Sequence, residues 1–220
     1  DFLNIDGNRH YVIAYSTGLV GSYPIKTGIL YDSSVVEIKD KAQYHSHPNF
    51  SRPSLFQRFI YKDSLEFVIC ANHFKSKGSR NAKGLDMDQK DGQASYNYKR
   101  TLQAITLLDI IDSLYFDEKI MVLGDFNAYS QEDPIQTLQS TNLNRLETAN
   151  HSYLYKGKNG SLDHVFVSDN FIEHIDQVQT WNINSIYPSW INYSHKLADS
   201  SYFRSSDHNP MIIGVNSYVE

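Results

Sequence analysis

Four short polar clusters stand where apolar runs end or begin. Asn72-His73 closes the run Leu65 to Ala71, and Gly124-Asp125-Phe126-Asn127 follows Ile120 to Leu123. Ser161-Leu162-Asp163-His164 opens the run Asp163 to Val167, and Ser206-Asp207-His208-Asn209-Pro210 precedes Met211 to Val215. A carboxylate or imidazole at a strand end is held in place by the strand and can converge with others across a sheet edge. Asp and Asn also make turns at such places, and any one cluster alone reads that way. Four clusters mixing Asp, Asn and His point instead to hydrolytic or metal-assisted chemistry.

The elements that must position these groups follow from periodicity and turn residues. Tyr11 to Tyr15, Gly28 to Tyr31, Phe56 to Tyr61 and Leu65 to Ala71 are β-branched or aromatic, and the last two predict a hairpin around Lys62-Asp63-Ser64. From Phe74 to Asn97 Gly, Lys, Asn, Asp and Gln replace the apolar residues, which predicts a long exposed loop of the kind that usually carries function. Leu102, Ile105 and Leu108, with Leu107, Ile111 and Leu114, recur at helical spacing, so Tyr98 to Leu114 predicts a helix with one buried face and Asn97 as its N-cap. A second short helix starts at Asp133-Pro134, with Pro in its first turn. Strands are expected over Ile120 to Leu123, Asp163 to Val167 and Met211 to Val215.

With 220 residues, 40% of them apolar, the chain suits one domain over 1–220 with a sizeable core. Its formal charge of -5 supplies no global basic field, so a polyanion would be held by a local patch or a bound cation. The densest basic run is Lys75, Lys77, Arg80 and Lys83, directly after His73; it reads equally as a backbone-tracking patch or a solvated loop. Cys70, the single cysteine, lies in the apolar run Phe67 to Ala71 and is expected to be a buried structural thiol. No run approaches the roughly 18 apolar residues of a membrane helix, and no signal core opens the sequence. His164 should face away from Asp163 and pack in the core. His10, His45, His47, His151 and His174 form no metal-ligand spacing and are expected to be structural or exposed.

Taken in order, NHFKSKGS, GDFNA, SLDHVFVS and RSSDHNP resemble the motif set of the endonuclease/exonuclease/phosphatase superfamily. With DGQASYNYKR, NAYSQEDPI and WNINSIYPSWINY added, the chain is similar to secreted bacterial nucleases of that group, from Ile25 to the C-terminus. The resemblance implies an α/β deoxyribonuclease-like fold, a four-layer sandwich of two packed mixed β-sheets flanked by helices. It implies a monomeric, extracellular, metal-dependent phosphodiesterase acting on DNA or RNA, with Mg²⁺ or Mn²⁺ as cofactor and Ca²⁺ as a possible structural ion. Carried over, Asp207 would bind the metal and His208 would stand beside the phosphate. Asp163 would orient His208, Asp125 and Asn127 would position the attacking water and a phosphate oxygen, and His73 would be the second histidine. Arg52 matches a phosphate-contacting arginine, though an ordinary surface arginine reads as well there. Asn72, Lys75 and Lys77 complete the expected substrate contacts. The chemistry agrees, because phosphodiester hydrolysis needs an activated water, charge neutralisation and help for the leaving oxygen.

One feature of the family pattern has no counterpart. Upstream of these motifs the pattern carries a strand ending in a metal-binding Glu, but Asp1 to Arg9 contains no Glu, and Glu37, Glu66 and Glu118 stand in other contexts. The expectation is a domain incomplete at its N-terminus, a weakly held metal and an interruption in one sheet. Alternatives on the same fold are a lipid or small-phosphoester hydrolase and a catalytically weak binding domain.

Overall fold

The computed structural model describes residues 9–14, 24–62, 64–188 and 203–218. Tyr15, Asp63 and the part of the 181–193 stretch beyond Pro188 lie outside them. Thirteen strands are described: β1 (Tyr11–Ile13), β2 (Leu30–Asp32), β3 (Val36–Ile38), β4 (Gln43–His45), β5 (Ser54–Tyr61) and β6 (Leu65–His73) precede helix α1 (Asn97–Leu114). Then come β7 (Ile120–Asp125), helix α2 (Asp133–Gln139), β8 (Leu143–Arg145), β9 (Tyr153–Tyr155), β10 (Lys158–Gly160), β11 (Asp163–Ser168), β12 (Ile175–Thr180) and β13 (Met211–Val215).

Seven strands form one mixed sheet in the order β3-β5-β6-β7-β11-β8, with β4 also paired to β5. The hairpin β5–β6 joins Tyr61 to Leu65 as expected. Between β6 and β7 the chain crosses over through α1, and the two strands pair in parallel. Alternation along the strands sends Phe56, Val68, Cys70, Val122 and Phe166 to one face, where Ala104, Leu107 and Ile111 of α1 and Ile135 and Leu138 of α2 cover them. Cys70 is fully buried there, and burial pushes its thiol far above the usual range, which confirms a structural role.

The opposite face sends out Met121, Val165 and Val167, which pack against Ile175 and Val178 of β12 and Met211, Ile213 and Val215 of β13. A second ribbon, β1–β2, packs with Ala42, Leu55 and Ala71 on the same sheet. The second layer of the sandwich therefore consists, among the described residues, of two separate two-stranded ribbons. A cavity of about 390 Å³, lined by Leu30, Tyr31, Phe59, Phe67, Ile69 and Leu123, opens over the sheet beside β1–β2.

Helix α1 departs from expectation in two ways. Its cap is Tyr96, in the left-handed region at φ 62°, rather than Asn97, whose amide donates instead to Asp133 Oδ2 at 2.7 Å. The buried stripe is Arg100, Gln103, Ala104, Leu107 and Ile111, while Ile105 and Leu114 are exposed. The cause lies in the loop at 74–96. Arg100 is fully buried and donates to the carbonyls of Ser95 at 2.9 Å and Gln93 at 2.9 Å. Gln103 Oε1 accepts the Lys75 amide at 2.9 Å. The start of α1 is thus turned to satisfy loop backbone groups that would otherwise be buried without partners. Strands β3, β4, β8, β9 and β10 have three residues each, and β12 reads Ile-Asp-Gln-Val-Gln-Thr, so none shows an apolar run.

His164 packs against Phe126 and Phe166, and its Nε2 donates to the Ala128 carbonyl at 2.9 Å. Burial holds this ring down to about 4, well below the 6.5 of an exposed histidine. The unfolded chain therefore takes up a proton between about pH 6.5 and pH 4 that the folded chain refuses, so stability present above pH 6.5 is lost as pH falls across that window. Full loss corresponds to about 3 kcal/mol, at 1.36 kcal/mol per unit. Urea unfolding from pH 7 to pH 4 should show this slope, reduced in His164→Gln; an equal slope in both proteins would assign the acid lability to other groups.

Candidate active site

The site begins with a register. In the parallel pair β6–β7, His73 is the Cα partner of Asp125, and in the antiparallel pair β7–β11, Asp125 is the partner of Asp163. His73, Asp125 and Asp163 therefore form one row across three adjacent strands. Each is two residues from a side chain on the ribbon-bearing face: Ala71, Leu123 and Val165. The period of two carries all three polar groups to that same face.

Gly124 makes the row possible. Its φ of 137° is one that side chains rarely adopt, and a Cβ there would stand 2.0 Å from the Asn72 carbonyl oxygen. The close backbone approach brings β6 and β7 together just before their functional ends. Asn72 is part of this seam rather than a substrate contact: it is buried, accepts from Ser54 Oγ at 2.6 Å and donates to the Cys70 carbonyl at 3.1 Å. Its side chain belongs to the opposite parity from His73, which removes it from the open face.

The fourth group comes from the segment before β13. His208 Nδ1 lies 2.6 Å from Asp163 Oδ2, and the ring packs on Tyr153 with centroids 4.6 Å apart. Asn209 anchors that segment. Its Oδ1 accepts the Asn184 and Ser185 amides at 2.9 Å each, and its Nδ2 donates to Ser185 Oγ at 2.7 Å and the His151 carbonyl at 2.9 Å. Asn184 Nδ2 in turn donates to the His208 carbonyl at 2.8 Å. Neither Asn209 nor Asn184 stands out by residue type. The signal for Asn209 is its place beside His208 in RSSDHNP, where an asparagine can satisfy several buried backbone groups at once.

Asn127 is adjacent in space. It takes a left-handed φ of 49°, its amide donates to Asp125 Oδ1 at 2.8 Å, and its side-chain nitrogen lies 3.2 Å from both Asp125 Oδ2 and the Phe74 carbonyl. It holds the Asp125 carboxylate, and that nitrogen is turned to Asp125 and the backbone. Arg52 is no surface arginine: it is buried and donates through Nη1 to the carbonyls of Phe74 at 3.1 Å and His73 at 3.3 Å.

Electrostatics separates the four groups. Burial, with the charge of Asp163 added, pushes the Asp125 carboxyl up to about 6. Burial and the Arg52 and His208 charges hold His73 down to about 4, so its 3.4 Å contact with Asp125 Oδ2 joins a neutral imidazole to a carboxylate and is no ion pair at pH 7. Burial also pulls His208 down, but the hydrogen bond and charge of Asp163, joined by Asp125 and Asp207, outweigh it and raise the ring to about 9. Pairs of groups driven apart in this way are characteristic of acid/base sites.

The remaining expected residues lie around this centre. Among the described residues, the groups whose ligand atoms all lie within 4.8 Å of one another are Asp125, Asp163 and His208. Asp207, the metal ligand expected from the resemblance, stands outside that set and lines a neighbouring cavity with Tyr153 and Arg204. Lys77 is a strut rather than a free cation, with Nζ donating to Glu132 Oε1 at 2.6 Å and to the Gln93 carbonyl at 3.1 Å. Lys75 lies with Nζ 4.1 Å from the centre of the Tyr96 ring.

The seam predicts a sharp response to one methyl group. Gly124→Ala should lose roughly 1–3 kcal/mol from its backbone conformation alone, before the clash with Asn72 is counted. The fraction that folds should have Asp125 displaced and activity reduced with it. Denaturant midpoints and turnover, measured on the same preparation, test this; wild-type values for both would show that the strands part without consequence.

No curated protein matches the sequence. Among solved structures, a humanized D. rerio TDP2 superimposes with TM-score 0.62 at 14% identity, over 96% of this chain and 77% of that one. D. rerio TDP2 complexed with a single-strand DNA product gives TM-score 0.60 at 13% identity, over 96% and 78%. The mannosyl-6-phosphatase Bt3783 of Bacteroides thetaiotaomicron gives 0.59 at 14%, over 94% and 76%. These likenesses establish a common fold. The pattern of the Endonuclease/Exonuclease/phosphatase family matches residues 6–208, and with the row His73, Asp125, Asp163 and its partner His208 in the same cleft, the chain belongs to that family of hydrolases.

Proposed function

We propose that this cleft hydrolyses phosphodiester bonds of nucleic acid by in-line attack of water. The observation that carries the reading is the single row His73, Asp125 and Asp163 with His208 fixed on Asp163, because it sets a half-buried carboxylate, a neutral imidazole and a cationic imidazole around one point. Asp125, its two oxygens steered by Asn127, suits orienting the attacking water and accepting its proton on one oxygen. Asp163 holds Nδ1 of His208, which leaves Nε2 to place positive charge beside a phosphate oxygen or to protonate the leaving oxygen. His73, neutral, is suited to hydrogen-bonding a phosphate oxygen. The DNA-bound and phosphatase neighbours support phosphoester chemistry on this fold, and the aromatic side chains beside His208 favour a nucleotide polymer.

A divalent cation fits this donor set. Two half-buried carboxylates lie side by side in the row, and burial together with the charge of Asp163 raises Asp125, so a cation held by both would relieve the repulsion. Asp125 and Asp163 would hold Mg²⁺ or Mn²⁺ through hard oxygen ligands, with Asp207 near enough to add its charge. When bound, the ion neutralises phosphate charge and orients substrate.

Supercoiled plasmid and a single-stranded oligonucleotide, each with Mg²⁺, Mn²⁺ or EDTA, test the activity. His208→Ala should lower turnover by about 10²–10⁴-fold. Asp163→Asn should also lower it, and the double variant should be slower than His208→Ala alone, since Asp163 would hold the cation as well as the ring. A double variant no slower than His208→Ala would confine Asp163 to orienting the ring. Release of phosphate from a sugar monophosphate with no cutting of either nucleic acid would replace the nuclease reading by a phosphatase.

A further inference from the structure

Beside the catalytic row is a cavity that the mechanism does not use. It has a volume of about 390 Å³, and its walls include Tyr153, Tyr155, Tyr187, Pro188, Arg204 and Asp207. One wall is the hairpin β9–β10. Its two turn residues, Lys156 and Gly157, both have positive φ, at 49° and 77°, the conformation of a tight two-residue turn that stiffens the strands it joins. Tyr153 and Tyr155 are two residues apart and share a face, with ring planes 14° from parallel and centroids 6.4 Å apart. Tyr153 also packs on His208, so this aromatic wall starts at the catalytic imidazole and runs outward. Tyr187 lines the same cavity and packs on Phe203 with centroids 5.5 Å apart. Tyr155 and Phe203 are 53% and 47% exposed, so a large aromatic surface faces water there.

We propose that this cavity is a nucleobase subsite: an unpaired base adjoining the scissile phosphate enters it and stacks on Tyr155 and Tyr187. The inference rests on the nuclease reading and narrows its substrate to single-stranded or locally unpaired nucleic acid. Flat aromatic walls recognise the π-face that every base carries. The volume lies near the lower end of the roughly 300–1,000 Å³ typical of small-ligand sites, which suits one nucleotide and excludes a stacked base pair with its neighbours. A base inside a duplex presents no free face and must leave the stack to reach the wall.

The test uses a single-stranded oligonucleotide with one tetrahydrofuran abasic residue at mid-strand, every cleaved bond being mapped on a sequencing gel. Base–aromatic stacking of about 1–3 kcal/mol predicts that the bond served by the missing base is cut about 5–150-fold more slowly than its neighbours. The ratio should fall toward one in Tyr155→Leu and persist in Tyr155→Phe, and a blunt duplex of the same sequence should be cut more slowly than the single strand. Uniform cleavage by the wild type along the abasic strand, or a duplex cut as fast as the single strand, overturns the subsite and leaves the nuclease reading standing. No cleavage of any strand, with phosphate released from a sugar monophosphate, overturns the nuclease reading and the subsite together.

Discussion

The parallel pairing of β6 with β7 is the constraint on which the site depends. It sets His73 opposite Asp125 with no intervening residue, and the antiparallel partner β11 then extends the row to Asp163. Three groups that must act together are delivered by backbone hydrogen bonds rather than by side-chain reach, so their spacing is that of neighbouring strands and their direction is that of the pleat. The seam is close enough at Gly124 that no side chain is admitted there. Covering the other face with α1 and α2 buries Phe56, Val68, Val122 and Phe166, and that burial holds the strands from behind while the reacting face stays open.

The row carries an electrostatic tension that its surroundings answer piecemeal. Two carboxylates half-withdrawn from water repel one another, and the structure meets this with a cationic His208 on Asp163 and with Asn127 on Asp125. Burial, with the charge of Arg52 behind it, keeps the second imidazole, His73, neutral. Each compensating group enters from a different part of the chain: Arg52 from the approach to β5, Asn127 from the turn after β7, His208 from the approach to β13. A centre assembled in this way exists only in the folded domain.

What could be read from the sequence and what could not divide along physical lines. Motif ends such as Gly124-Asp125 and Ser206-Asp207-His208 are local, and the apolar runs beside them mark β6, β7, β11 and β13 correctly because each is buried on at least one face. The register is not local. Nothing between residues 73 and 125 states that those two will be partners, since the pairing is decided by how α1 packs. Charge assignments failed for the same reason. Lys77 reads as a free cation until Glu132, far along the chain, is seen beside it. Arg100 and Gln103 sit in a helix whose apolar pattern gives no hint that its inner face also serves a loop. Asn72 has the right chemistry for a site and the wrong side-chain parity, which its buried bond to Ser54 shows.

The division of the second layer into two ribbons bears on how the domain comes apart. His208 is carried by the segment leading into β13, whose only ladder partner among the described residues is β12, while His73, Asp125 and Asp163 belong to the seven-strand sheet. Two-stranded units are weakly stable by themselves, and proteins open in cooperative pieces of differing free energy. The catalytic constellation thus straddles two such pieces. Opening of the β12–β13 ribbon alone would withdraw one imidazole and leave the sheet intact, so the lifetime of the assembled centre follows the weaker piece and not the stability of the domain as a whole.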